Sequence, residues 1–148
     1  ELLSVGGGSK KIELKNQVKK LKLDNKVIFT GRVKHDEVPS YFNKMDIVVV
    51  PSIVDGESFG VAAVEASACE KPVIVSRVGG LPEVVIDGES GLVCEPKDSI
   101  CLSEKIELLI NNPEMRHRFG KAGRQNVLTQ YNWESNVDLM ISHYRSIL

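Results

Sequence analysis

Two carboxylates, Glu57 and Glu65, stand with seven residues between them in "PSIVDGESFGVAAVEASACEKPVIVS". The stretch reads as a strand end, a glycine-bearing loop, a helix and the next strand. Glu57 falls where the helix should open, a place that suits a first-turn acid or cap as well as a ligand contact. Ser58, Phe59 and Gly60 would supply the free N–H groups of the helix start, which attract anions through unpaired donors and dipole together. Gly60 would let a ligand come close to the backbone. Glu65 has Val61, Ala62, Ala63, Val64, Ala66 and Ala68 around it. Its charge therefore requires a partner or water. Were residues 57–65 all helical, the two acids would differ by roughly 80° in direction and line one groove. Carboxylates accept charge-assisted hydrogen bonds from sugar hydroxyls. Phosphates at the helix start and hydroxyls reaching both ways outline a nucleotide sugar.

The elements that must position these residues are visible as short apolar runs. "LLSV" (2–5), "KVIFTG" (26–31), "DIVVVPS" (46–52), "PVIVS" (72–76) and "GLVCE" (91–95) read as strands. "IVVV" lacks polar alternation, which predicts that both its faces are covered. Helices are expected over 10–22, with Leu14, Val18 and Leu21 on one stripe, over 35–44 and over 59–70. This alternation predicts an α/β fold, a Rossmann-like doubly wound parallel sheet. After "GLVCEP" only helices follow. Asp98 can cap one that carries Leu102, Ile106, Leu109 and Ile110, Pro113 can open the next, and a last helix runs from about Asn132. Ligands of such sheets sit at the carboxyl ends of strands. That directs attention to the loops 6–9, 31–35, 51–60 and 77–83.

The chain has 148 residues. A domain of that size buries roughly 70% of the surface it exposes when unfolded, enough for a real core. The net charge is −1 and aromatics are few. Both argue against nucleic acid as a partner. Cys69, Cys94 and Cys101 are odd in number, lie among apolar residues and form no Cys-x-x-Cys pair. They are read as reduced, buried thiols of a cytoplasmic protein. No apolar run approaches the roughly 20 residues of a membrane span. The chain opens on Glu1 and at once on a strand, so it is expected to be a piece of a longer protein.

"DGESFGVAAVEASACEKPVIVSRVGGLPEVVIDGESGLVCEP" strongly resembles the donor-binding motif of family 4 glycosyltransferases of GT-B architecture. The flanks "VIFTGRVKHDEVPSYFNKMDIVVVPS" and "NNPEMRHRFGKAGRQNV" are similar to the same family, so the resemblance covers nearly the whole chain. It implies the donor-binding part of a retaining enzyme, moving a sugar from a nucleotide diphosphate donor to a glycan or lipid-linked acceptor. Residue by residue, it implies the catalytic position for Glu57, where the family's acid contacts hydroxyls of the transferred sugar. Backbone amides of Ser58, Phe59 and Gly60 would meet sugar and phosphates, Glu65 the ribose, and Val33 would line the base. It also implies a donor-binding domain over 1–130, lacking its first β-α unit, and a helix over 131–148 that crosses back toward an amino-terminal, acceptor-binding domain. The Arg and Lys that hold the donor diphosphate would precede "ELLSVGG", so the chain alone is expected to be inactive. Without its partner domain, that final helix would favour self-association. The rival readings are a non-catalytic nucleotide-sugar-binding or scaffolding domain and a GT-B-like nucleotide-sugar epimerase.

Other features are read plainly. "GGGS" fails the G-x-G-x-x-G pattern and is taken as a turn. Lys10, Lys11, Lys15, Lys19, Lys20 and Lys22 are taken as a solvated face, with peripheral contact to anionic lipid at the inner membrane face as the alternative. His35, His117 and His143 lack ligand spacing and no Asp-x-Asp occurs, so no metal or other cofactor is expected. Glu83 is read as capping a short helix, and Tyr131 and Trp133 as aromatic anchors.

Overall fold

Five strands form, all parallel to their neighbours, in a computed structural model that describes residues 1–53 and 59–147. The expected α/β class is what the chain adopts. Its strands lie in two sheets, one in each of two compact units, Glu1–Met45 and Asp46–Leu148.

In the first unit β1 (Leu2–Val5) pairs with β2 (Val27–Gly31), Leu2 opposite Val27, with a register shift between Ser4 and Val5. Helix α1 (Lys11–Lys20) connects them. The expected stripe on it is not buried: Leu14 and Leu21 are exposed and Val18 is half-buried. The helix stops where Lys22 turns left-handed, with the Leu23 N–H donating to the Val18 carbonyl and that of Lys22 to Lys19. That is a Schellman ending, with lysine in the place glycine favours. The expected helix over 35–44 divides into a 3₁₀ turn (His35–Glu37) and α2 (Val38–Asn43). The second piece begins beside Pro39, because proline suits only a first turn. Of "GGGS", Gly6, at φ +124°, bridges to Gly31 and donates to its carbonyl at 2.9 Å, and a turn at Ser9 and Lys10 leads into α1.

In the second unit β3 (Val48–Val50), β4 (Val73–Ser76) and β5 (Gly91–Cys94) run in that order. The strands buried at every residue are β4 and β5, rather than β3, whose Val49 and Val50 are half-buried. β3 ends before Pro51, which has no N–H for a ladder. Ile74, Leu92, Cys94, Leu109 and Phe119 make a buried cluster. Leu109 comes from α5 (Ser99–Asn111) and Phe119 from α6 (Pro113–Gln130). Asp98 caps α5 by accepting from the Cys101 N–H at 2.9 Å, as expected, and Asn112 caps α6 by accepting from Met115 at 2.9 Å with Pro113 at the first position. The last helix, α7 (Trp133–Ile147), has no buried residue, and Trp133 is 80% exposed. Among the described residues Trp133 is therefore no buried anchor, against expectation.

Helix α3 (Val61–Ala68) lies against β3, β4 and α6. Ala63, Ala66 and Ser67 face inward and are buried. The contact with α6 is made by glycine. A Cβ on Gly120 would collide with the Glu70 carbonyl oxygen, and one on Gly123 would stand 3.3 Å from Ser67. The Arg124 guanidinium donates to the Ala68 carbonyl and so ties the end of α3 to α6. Glu70 itself is left-handed (φ +57°), and Lys71 donates to the Ala66 carbonyl, so α3 ends in the same manner as α1.

Alanine is the better helix former by about 1 kcal/mol, yet at Gly120 its methyl would meet a backbone carbonyl that cannot swing away. Gly120→Ala should therefore lower unfolding stability by about 2–3 kcal/mol, the cost of overpacking. Urea denaturation measures it; an unchanged or raised midpoint would mean that α3 and α6 separate freely.

Candidate functional site

Helix α3 begins later than the sequence suggests. Gly60 is its N-cap, at φ +75°, ψ +45°. That is a left-handed conformation, which L side chains rarely adopt. Residues 57–65 are thus not one helix, and the roughly 80° relation drawn from that assumption does not apply. The Gly60 carbonyl accepts from Ala63 at 2.8 Å and Val64 at 3.1 Å. The N–H groups left over at the helix start are therefore those of Gly60, Val61 and Ala62. Phe59 lies one residue ahead, in the loop.

Gly60 is also the only residue type that fits there. A Cβ would come within 2.5 Å of Leu81 Cδ2. Leu81 is fully buried and opens the short helix α4 (Leu81–Val84). Sequence reasoning passed over Leu81; its only signal was an apolar residue directly after two glycines. Phe59 is half-exposed and packs edge-on to Tyr131, with ring centroids 5.4 Å apart and planes at 80°. Aromatic pairs favour that arrangement because it sets the positive edge of one ring against the negative face of the other. Tyr131 is half-buried and its hydroxyl donates to the Glu83 carbonyl at 3.4 Å. Burial, and secondarily the Glu83 charge, push its phenol above the ordinary value. Both disfavour the phenolate. Tyr131 is an anchor, as expected, and what it holds is Phe59. Glu83 is exposed, and α4 shows no side-chain cap, so the capping expected of Glu83 is not found.

Glu65 is half-buried on α3. Its helix is less enclosed than its composition suggests, since Val61 and Ala62, up to one turn earlier on that side, are exposed. An acid there remains within reach of solvent and of a ligand. Glu57 and Ser58 lie outside the described residues. Val33 belongs to the first unit, half-buried between β2 and the 3₁₀ turn. Gly60 and Glu65 are thus brought onto one helix in the second unit, with Phe59 beside its start.

The carboxyl ends of β3, β4 and β5 also border a cavity of ≈ 140 Å³, lined by Pro51, Ser76, Cys94, Glu95 and Asp98 among others. Neither Gly60 nor Glu65 lines it. It is smaller than the ~300–1,000 Å³ usual for pockets that enclose a ligand. Glu95 of its lining pairs with the exposed Arg77 at 2.8 Å. Such an exposed pair contributes little stability. Among the described residues no group of three His, Cys, Asp or Glu side chains gathers as metal ligands would, and no helix is long and apolar enough to cross a membrane.

Known proteins resemble this chain in sequence and in fold. The chain is 43% identical over 133 residues to an uncharacterized glycosyltransferase of Methanocaldococcus jannaschii, covering 90% of this chain and 37% of that protein. It is 33% identical over 147 residues to the N-acetyl-alpha-D-glucosaminyl L-malate synthase of Bacillus anthracis, covering 99% of this chain and 36% of that one. The chain thus spans little more than a third of these relatives. Among solved structures, sucrose-phosphate synthase from Thermosynechococcus elongatus superposes with a TM-score of 0.89 at 35% identity, over 99% of this chain and 38% of that one. Anabaena HepE in complex with UDP-glucose superposes with a TM-score of 0.86 at 26% identity, over 99% of this chain and 40% of that one. The family described as glycosyl transferases group 1 matches residues 1–126, and the chain belongs to that family.

Proposed function

We propose that this chain is the donor-binding part of a retaining, family 4 glycosyltransferase of GT-B architecture, using a nucleotide diphosphate sugar. The observation that carries this reading is the start of α3. Left-handed Gly60, seated on Leu81, sets the helix to open at exposed Val61 and Ala62, and half-buried Glu65 follows little more than one turn on. UDP-glucose bound by the structurally similar HepE supports the same class of donor.

In this reading the diphosphate meets the amides at the start of α3, where dipole and unpaired donors favour anions. Preorganised N–H groups stabilise the charge that develops on the leaving diphosphate, at no cost of reorganisation during reaction. Glu65 accepts hydrogen bonds from the ribose hydroxyls. Glu57 takes the sugar hydroxyls and orients the anomeric carbon, Ser58 and Phe59 flank the sugar and phosphates, and Val33 lines the base. The acceptor, a glycan or a lipid-linked glycan, binds a separate amino-terminal domain, toward which 131–148 returns from the donor domain at 1–130. The setting is polysaccharide biosynthesis in the cytoplasm, at the inner face of the membrane where the acceptor is lipid-linked.

Three outcomes test this on the full-length protein. Glu65→Ala should weaken nucleoside diphosphate binding about ten- to a hundredfold, the worth of one charge-assisted hydrogen bond at about 1.5–3 kcal/mol. Calorimetric titration reads it, and undiminished affinity would remove Glu65 from the ribose. Glu57→Ala should reduce kcat at least tenfold while nucleoside diphosphate affinity stays within about twofold, since only the sugar is released from its grip; equal losses in both would make Glu57 structural. Donor chemistry should also proceed without a bound metal. EDTA should leave turnover unchanged, and abolition that magnesium restores would contradict it.

A further inference from the structure

Two of the three cysteines meet, which nothing in their spacing announces. Cys94 closes β5 and is buried; Cys101 is the third residue of α5 and is half-buried. The turn between them holds Lys97 left-handed at φ +66° and brings Asp98 into its cap on the Cys101 N–H. The strand end and the first helical turn are thereby fixed against each other, and the two Sγ atoms stand 2.8 Å apart. That is inside ordinary non-bonded contact of about 3.5–4.0 Å. It is under 1 Å longer than a covalent S–S bond of about 2.05 Å. A shared metal is a poor explanation, because no third Cys, His, Asp or Glu joins them among the described residues. Cys69, at the end of α3, shows no such sulfur neighbour among the described residues.

We propose that Cys94 and Cys101 are a redox-active thiol pair that closes reversibly to a disulfide when it meets a low-molecular-weight disulfide oxidant such as glutathione disulfide. The more exposed sulfur, Cys101, reacts first. Deprotonated, it attacks one sulfur of the oxidant; a mixed disulfide forms on Cys101 and one glutathione thiolate leaves and takes up a proton. Cys94 then gives up its proton to solvent and attacks the Cys101 sulfur. The second glutathione leaves as a thiolate and is protonated, so that two protein thiols are oxidised to one disulfide and one glutathione disulfide is reduced to two thiols. Burial, and then the Cys101 sulfur beside it, push the Cys94 thiol up to about 12. Cys94 therefore stays inert toward outside reagents and acts only on its neighbour, where proximity replaces acidity. Closure would pin the first turn of α5 to β5 at the wall of the cavity that Cys94 lines.

The test treats the full-length protein with excess glutathione disulfide, blocks remaining thiols with iodoacetamide and cleaves with trypsin. Lys97 lies between the two cysteines, so closure leaves peptides 78–97 and 98–105 joined by a bond that dithiothreitol breaks. Joined peptides, and loss of alkylation at both positions, are expected. In Cys101→Ser, Cys94 should carry no glutathione, since it is shielded and has lost its partner. Glutathione retained on Cys101 with Cys94 unlinked would overturn the proposal, as would two untouched thiols or a link made to Cys69 instead.

Discussion

The seat of Gly60 on Leu81 decides where α3 begins, and much of the second unit follows from it. A left-handed N-cap with no side chain lets Gly60 sit directly on a fully buried leucine. Any other residue would add roughly 1–2 kcal/mol of backbone strain and drive its Cβ into that leucine. Beyond that seat the first residues of α3, Val61 and Ala62, are exposed.

The far end of α3 is held by a second close approach, Gly120 beneath the Glu70 carbonyl, with Arg124 bonded to the Ala68 carbonyl beside it. Between these two ends the helix is fixed along its length, and Glu65 is carried on rigid structure rather than on a loop. Pre-set donors and acceptors of this kind act without first being ordered by the ligand.

Much of this was legible in the residues. The β-branched runs and the helical stretches between them set the order of elements, because those patterns answer directly to burial. Asp98 and Pro113 marked their helix ends through cap chemistry that is local in sequence. The failures share a different cause. The start of α3 depends on the sign of one glycine's φ, which composition does not reveal. The stripe on α1 has apolar spacing without a surface to bury it, and the final helix keeps Trp133 in solvent. The Cys94–Cys101 meeting depends on how a short turn folds back, with no periodicity to signal it. Glu57 and Ser58 rest on the family resemblance alone.

The first unit is held together very differently from the second. Among its described residues Phe42 is the one buried hydrophobic side chain, whereas β4 and β5 are buried throughout. With so little apolar surface withdrawn from water, the amides of β1 and β2 are protected mainly by the ladder between them. Openings confined to that ladder require far less free energy than separation of β4 from its neighbours. Hydrogen exchange would accordingly separate quickly labelled amides of β1 and β2 from slowly labelled ones in β4 and β5. Helix α3, which carries Glu65, packs against slowly labelled β4 and keeps Ala63, Ala66 and Ser67 buried.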